Sequence, residues 1–134
     1  MTWDESHNAV VMVGGLPTGL LPGGVLNDTW MWDGTDWTQL VPAASPSAYL
    51  SPFVFNASSG TSVLFIGFES SSDTWTWNGA TWTDVLPGAS YPWLYESNMV
   101  YDVLHNQVVL FGGMAQNAQG SSILSNQTWI LTAQ

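Results

Sequence analysis

Asp4, Asp33, Asp36, Asp84 and Asp102 are the side chains with which this chain could hydrolyse a glycosidic bond or hold calcium, because both tasks need carboxylates gathered in space. Most of these positions recur with an internal repeat, at turns and strand ends, so a structural role is expected for them. His7 and His105 are the two histidines, beside Asn8 and Asn106, and they stand in different repeats with no carboxylate at ligand spacing. They are expected to be turn residues, and no metal site, cofactor or catalytic residue is expected. The absence of cysteine removes a thiolate ligand, a disulfide framework and a cysteine nucleophile.

Nine tryptophans offer a different chemistry, since sugars stack their apolar faces on aromatic rings. Trp30, Trp37, Trp75, Trp82 and Trp129 fall at repeat-defining positions and are expected to pack in the core. Trp3, Tyr49, Tyr91, Trp93 and Tyr95 are less constrained and are the candidate contact surface, with carbohydrate as the ligand class. Asn27, Asn56 and Asn126 each begin an Asn-x-Ser/Thr sequon; Asn56, expected in a turn, is the acceptor expected to be most accessible.

These residues are positioned by a repeat. The stretch Asn27-Asp28-Thr29-Trp30-Met31-Trp32-Asp33-Gly34-Thr35-Asp36-Trp37-Thr38 returns 45 residues later as Ser72-Asp73-Thr74-Trp75-Thr76-Trp77-Asn78-Gly79-Ala80-Thr81-Trp82-Thr83. Asn126-Gln127-Thr128-Trp129-Ile130-Leu131 is a third, truncated copy. Alternating aromatic residues predict strands with one apolar face, and Asp33-Gly34 and Asn78-Gly79 predict hairpin turns. Upstream, Val10 to Gly15, Val63 to Gly67 and Val108 to Gly113 predict a second strand that stops at glycine. Each repeat, over about 1–45, 46–91 and 92–134, therefore reads as a four-stranded antiparallel meander, within a single unit over 1–134. The intervals from Gly15 to Trp30 and from Gly113 to Trp129 read as loops, and no helix is expected.

Only 7% of residues are charged, against about 25% in an average domain, and all ten are acidic. A net charge of −10 argues against nucleic acid, whose phosphates need cationic side chains, and against anionic membrane surfaces. No apolar run of about 18 residues is present to predict a membrane span. A chain without Lys or Arg offers trypsin-like proteases no cleavage site, which suits an extracellular or cell-surface location.

The apolar run ending in Gly-Gly, the Asn-Asp-Thr-Trp strand and the second tryptophan at fixed spacing resemble the bacterial form of the kelch repeat over essentially the whole chain. That resemblance implies an all-β partial β-propeller of three kelch-like four-stranded antiparallel blades, the last incomplete, with the first strand of each blade nearest the axis. Kelch blades usually carry an arginine just after the Ser-Pro connection, where Tyr49 and Tyr95 stand in this chain. Kelch propellers that frame copper radical oxidases need a cysteine-linked tyrosine, and this chain has no cysteine. Two complete blades and one without its outer strand do not close a ring of the usual four to eight or so blades. A non-enzymatic structural or interaction module is expected, closed by a second copy, by the rest of a longer chain, or by open edge-to-edge assembly into a filament. The assembly edge is expected at Asn126, Thr128, Trp129, Ile130, Leu131 and Thr132, where an unpaired strand invites β-augmentation. A carbohydrate-binding propeller is the alternative reading, and a fragment of a larger kelch protein a further one.

Overall fold

The computed structural model describes residues 1–17, 24–68, 71–85, 94–117 and 119–132. Its thirteen strands are β1 (Thr2–Asp4), β2 (Ala9–Gly15), β3 (Leu26–Trp32), β4 (Trp37–Leu40), β5 (Phe53–Asn56), β6 (Thr61–Phe68), β7 (Ser71–Trp77), β8 (Trp82–Asp84), β9 (Asn98–Asp102), β10 (Gln107–Phe111), β11 (Met114–Gln116), β12 (Ser122–Leu124) and β13 (Thr128–Thr132). They form two four-stranded sheets, β1-β2-β3-β4 and β5-β6-β7-β8, a three-stranded sheet β13-β10-β9, and the hairpin β11-β12. Every pairing in the sheets is antiparallel, and the described residues contain no helix. The three larger sheets are called sheets 1, 2 and 3 below.

The turns follow from side-chain chemistry. Asp33 Oδ1 accepts hydrogen bonds from the Thr35 and Asp36 amides at 2.8 and 3.0 Å, and Asn78 Oδ1 accepts from Ala80 and Thr81 at 3.0 and 2.9 Å. Each Asx oxygen thus closes a turn between paired tryptophans, Trp32 with Trp37 and Trp77 with Trp82. The turns between first and second strands use the same device: Asp4, Asn56 and Asp102 each accept backbone amides two or three residues on. Asn8, Gly60 and Asn106 then take a positive φ of 50°, 68° and 51°, the left-handed region that Gly and Asn tolerate best.

Strand alternation sorts the side chains of sheet 2 onto two faces. Phe53, Leu64, Ile66, Trp75, Trp77 and Trp82 face sheet 1, where Val11, Val13 and Leu40 meet them and Ala48 completes the cluster. Phe65, on the opposite face, packs with Leu94, Leu110, Met99 and Ala115 toward sheet 3. The first strands lie side by side, β5 between β1 and β9.

Backbone contacts stitch each connection to the sheet before it. Gly15 N–H donates to the Ala48 carbonyl at 2.7 Å, and Ala48 N–H donates to the Leu26 carbonyl at 3.2 Å. An ideal methyl on Gly14 would lie 2.2 Å from the Ala48 carbonyl oxygen, and one on Gly67 would lie 2.3 Å from that of Leu94. The glycines that end the second strands are therefore sites of close backbone approach.

The interval from Gly113 to Trp129, read as a loop, instead contains β11 and β12. Asn117 Oδ1 accepts from the Gln119 and Ser121 amides at 3.0 and 2.9 Å, and Gly120 takes φ +77°, so Asn-x-x-Gly made a hairpin where strand alternation gave little signal. Met114 exchanges two backbone hydrogen bonds with Tyr95, at 2.7 and 2.9 Å, tying this hairpin to the connection before sheet 3.

Candidate interaction site

The repeat places a threonine before the first tryptophan of each third strand, as Thr29, Thr74 and Thr128. Thr29 is fully buried and its Oγ1 accepts a hydrogen bond from Trp82 Nε1 at 2.9 Å, across the seam between sheets 1 and 2. Trp82 itself stacks at 5.2 Å on Trp77 and at 5.6 Å on Phe53. A strand-end indole from one sheet is thus clamped by its own sheet's aromatics and tethered to the next sheet. Sequence reasoning assigned this threonine no role, although its constant place before tryptophan was the available signal.

Thr29→Val keeps the shape and removes the acceptor, leaving the buried indole N–H unpaired. A loss of about 1–3 kcal/mol is expected, read as a shift in denaturant midpoint with an unchanged slope.

At the seam between sheets 2 and 3, the same places are filled differently. Leu131 stands where sheet 2 has Trp77, and among the described residues no strand follows β13 to supply a counterpart of Trp82. An apolar cavity of about 60 Å3 lies there, lined by Val63, Phe65 and Thr74 of sheet 2 and by Leu110, Trp129 and Leu131 of sheet 3, among others. Among the described residues β13 pairs only with β10, so the segment Thr128, Trp129, Ile130, Leu131 and Thr132 expected to be an edge is a sheet edge there, with Asn126 just before it.

Burial separates tryptophans that the repeat made equivalent. Trp82 is 5% exposed, whereas Trp37 is 37% and Trp129 is 39% exposed. The expectation that Trp37 and Trp129 lie in the core is corrected: Trp37 lies on the face of sheet 1 that no described sheet covers, and Trp129 lies on an edge strand that no described strand flanks on its outer side. Trp37 keeps the geometry of the buried pair, with its ring 5.7 Å from Trp32 and tilted by 45°. Trp3 is 51% exposed.

Tyr49 and Tyr95 are half-buried, and their hydroxyls are near enough to act on each other. Desolvation first, then Tyr49 and the Glu96 carboxylate, raise the Tyr95 hydroxyl above its ordinary value. The residue after each tyrosine, Leu50 and Glu96, takes a positive φ of 48° and 55°, which costs a residue with a Cβ about 1 kcal/mol or more. Tyr91 and Trp93 lie outside the described residues.

Both histidines have a carboxylate partner three residues upstream, a pairing the sequence reading did not expect. His7 Nδ1–H donates to Asp4 Oδ2 at 3.0 Å, and His105 Nδ1–H donates to Asp102 Oδ2 at 2.6 Å. Among the described residues no group of three or more His, Asp and Glu side chains could hold a metal ion. The His105 hydrogen bond, followed by backbone amides, holds Asp102 below the ordinary value of 3.8. Because the folded state favours the carboxylate, this contribution to stability is present above that value and is lost as pH falls through the lower folded value. Asp102→Asn is therefore expected to flatten the fall in stability below about pH 3.8, measured by denaturant titration across the acid range.

Asn56, expected to be the most accessible sequon acceptor, is 5% exposed with its Oδ1 accepting from the Ser58 and Ser59 amides. Asn27 and Asn126 are exposed. No protein-family model matches the chain, and no curated protein matches it.

Proposed function

We propose that the chain is a kelch-like partial β-propeller acting as a non-enzymatic interaction module outside the cell or at its surface, completed by a second copy of itself. The side-by-side first strands and the consecutive four-stranded meanders support the propeller reading. The observation that carries the assembly is that the two end faces, covered by no sheet among the described residues, are counterparts of the two halves of the internal seam.

Sheet 1 presents Trp3, Met12, Trp32 and Trp37 on its uncovered face, the counterpart of the sheet 2 face that bears Phe55, Leu64, Trp77 and Trp82. Sheet 3 presents Val109, Phe111, Thr128 and Ile130 on its uncovered face, the counterpart of the sheet 1 face with Val11, Val13, Thr29 and Met31. The pairings match residue for residue: Phe111 opposes Thr128 as Val13 opposes Thr29, and Val109 opposes Ile130 as Val11 opposes Met31. Phe111 and Ile130 are more than half exposed, an apolar surface that association would remove from water. The contact is head to tail, so two copies close a ring if the rotation allows, and a filament grows if it does not.

Light scattering with imaging of the same particles tests this. Discrete dimers or filaments are expected, and Phe111→Asp, which alters an exposed side chain, is expected to give a folded monomer. A wild-type chain that stays a folded monomer at about 100 μM, a concentration at which a weak interface already associates, rejects the reading. The exposed Trp3 and Trp37 also favour a carbohydrate ligand as a second reading; saturable sugar quenching of tryptophan fluorescence is its test.

A further inference from the structure

The edge of β13, unpaired among the described residues, and the cavity behind it belong together. In sheet 2, β7 is flanked on its outer side by β8, with Trp77 opposite Trp82, Thr76 opposite Thr83 and Trp75 opposite Asp84. The Val85 amide continues that ladder by donating to the Thr74 carbonyl at 2.9 Å. Trp82 leaves this strand to fill the seam and bond Thr29. β13 is the counterpart of β7 in sheet 3: Trp129 opposes Leu110 and Leu131 opposes Val108, as Trp75 opposes Leu64 and Trp77 opposes Ser62. Behind β13, the buried Thr74 stands on sheet 2 where Thr29 stands on sheet 1, and it lines the cavity. Three consecutive β13 residues, Trp129, Ile130 and Leu131, also line it, so the space reaches the backbone of the edge strand.

We infer that this edge and cavity form a docking slot for an extended segment of another polypeptide carrying tryptophan followed by threonine. The incoming strand pairs antiparallel with β13, with its tryptophan opposite Leu131, its threonine opposite Ile130 and the next residue opposite Trp129. Its indole lies across the open side of the cavity between sheets 2 and 3, with its leading edge in the enclosed space, and its N–H donates to Thr74 Oγ1. Backbone pairing along β13 supplies affinity, and the indole pocket supplies selectivity for tryptophan, the division of labour of β-augmentation. Continuity with the β7–β8 pairing inside the same chain sets both the register and the residue type. The slot rests on the reading of the chain as an interaction module, but it uses the strand edge and the inner face of sheet 3, whereas assembly with a second copy uses the outer face.

The test is a fluorescently labelled peptide with the sequence of residues 78–85, Asn-Gly-Ala-Thr-Trp-Thr-Asp-Val, titrated with the full chain and read by anisotropy. Saturable binding is expected, with its tryptophan-to-alanine form weakened at least about a hundredfold and the Thr74→Val chain weakened about tenfold. Binding that is absent at about 1 mM, or equal for the two peptides, overturns the slot. Light scattering of the same samples separates the two readings: a monomer that binds the peptide keeps the slot and removes self-assembly, and an assembled chain that ignores the peptide does the reverse.

Discussion

Trp77→Ala is expected to cost about 3–5 kcal/mol, a large share of the about 5–15 kcal/mol that holds a domain of this kind together. Trp77 has no exposed surface, stands opposite Trp82 and belongs to the cluster that joins sheets 1 and 2. Truncation removes the ring on which Trp82 leans and so loosens the indole that reaches Thr29. Trp77 Nε1 has no hydrogen-bond partner among the described residues. Trp77→Phe keeps an aromatic ring and deletes that unpaired donor, so its cost is expected to be about 1–2 kcal/mol, well below alanine's. Thermal and denaturant unfolding of the two variants checks this; equal costs would mean that a phenyl ring does not hold Trp82 in place and that the full breadth of the indole sets the energetics of the site.

The second large effect is expected from Gly67→Ala, one methyl group. Its backbone conformation is open to other residues, so the penalty comes from space alone: the added carbon lies 2.3 Å from the Leu94 carbonyl oxygen, 2.8 Å from its carbon and 3.0 Å from Phe65 Cε1. A backbone carbonyl cannot step aside as a flexible side chain would. The Leu94–Ser97 connection must move as a piece, drawing buried Leu94 out of the cluster with Phe65 and Leu110. A loss of about 3 kcal/mol is expected, the upper part of the range for overpacking. Hydrogen exchange should locate the damage at the Tyr95–Met114 bridge, with sheet 1 keeping its protection. Uniform loss across all sheets would show instead that the whole molecule unfolds as one unit.

Local chemistry made much of this architecture legible. Asp33-Gly34 and Asn78-Gly79 announced turns because an Asx oxygen can hold two amides within its own loop, and alternation announced strands because faces recur every second residue. What lay outside that reach was set by neighbours distant in sequence. Trp37 and Trp82 are the same letter in the same motif, and only the presence of another sheet decides that one is core and the other surface. The pairing of His7 with Asp4 was within reach, since a turn of this length returns residue i+3 to residue i. The cavity beside Thr74 was visible only as a missing tryptophan strand after Leu131, an absence whose shape needed sheet 2 for comparison.

The hydrogen bond from Trp82 to Thr29 joins residues 53 apart, while sheets 1 and 2 are each built from strands that follow one another along the chain. The order of synthesis is therefore also the order of construction. Sheet 1 can pair its hairpins before sheet 2 has been made, and Trp82, in the last strand of sheet 2, is the residue whose arrival binds the two. Until then a growing chain holds Val11 and Thr29 open to water, so its most aggregation-prone interval is the time needed to translate the residues between Leu40 and Trp82.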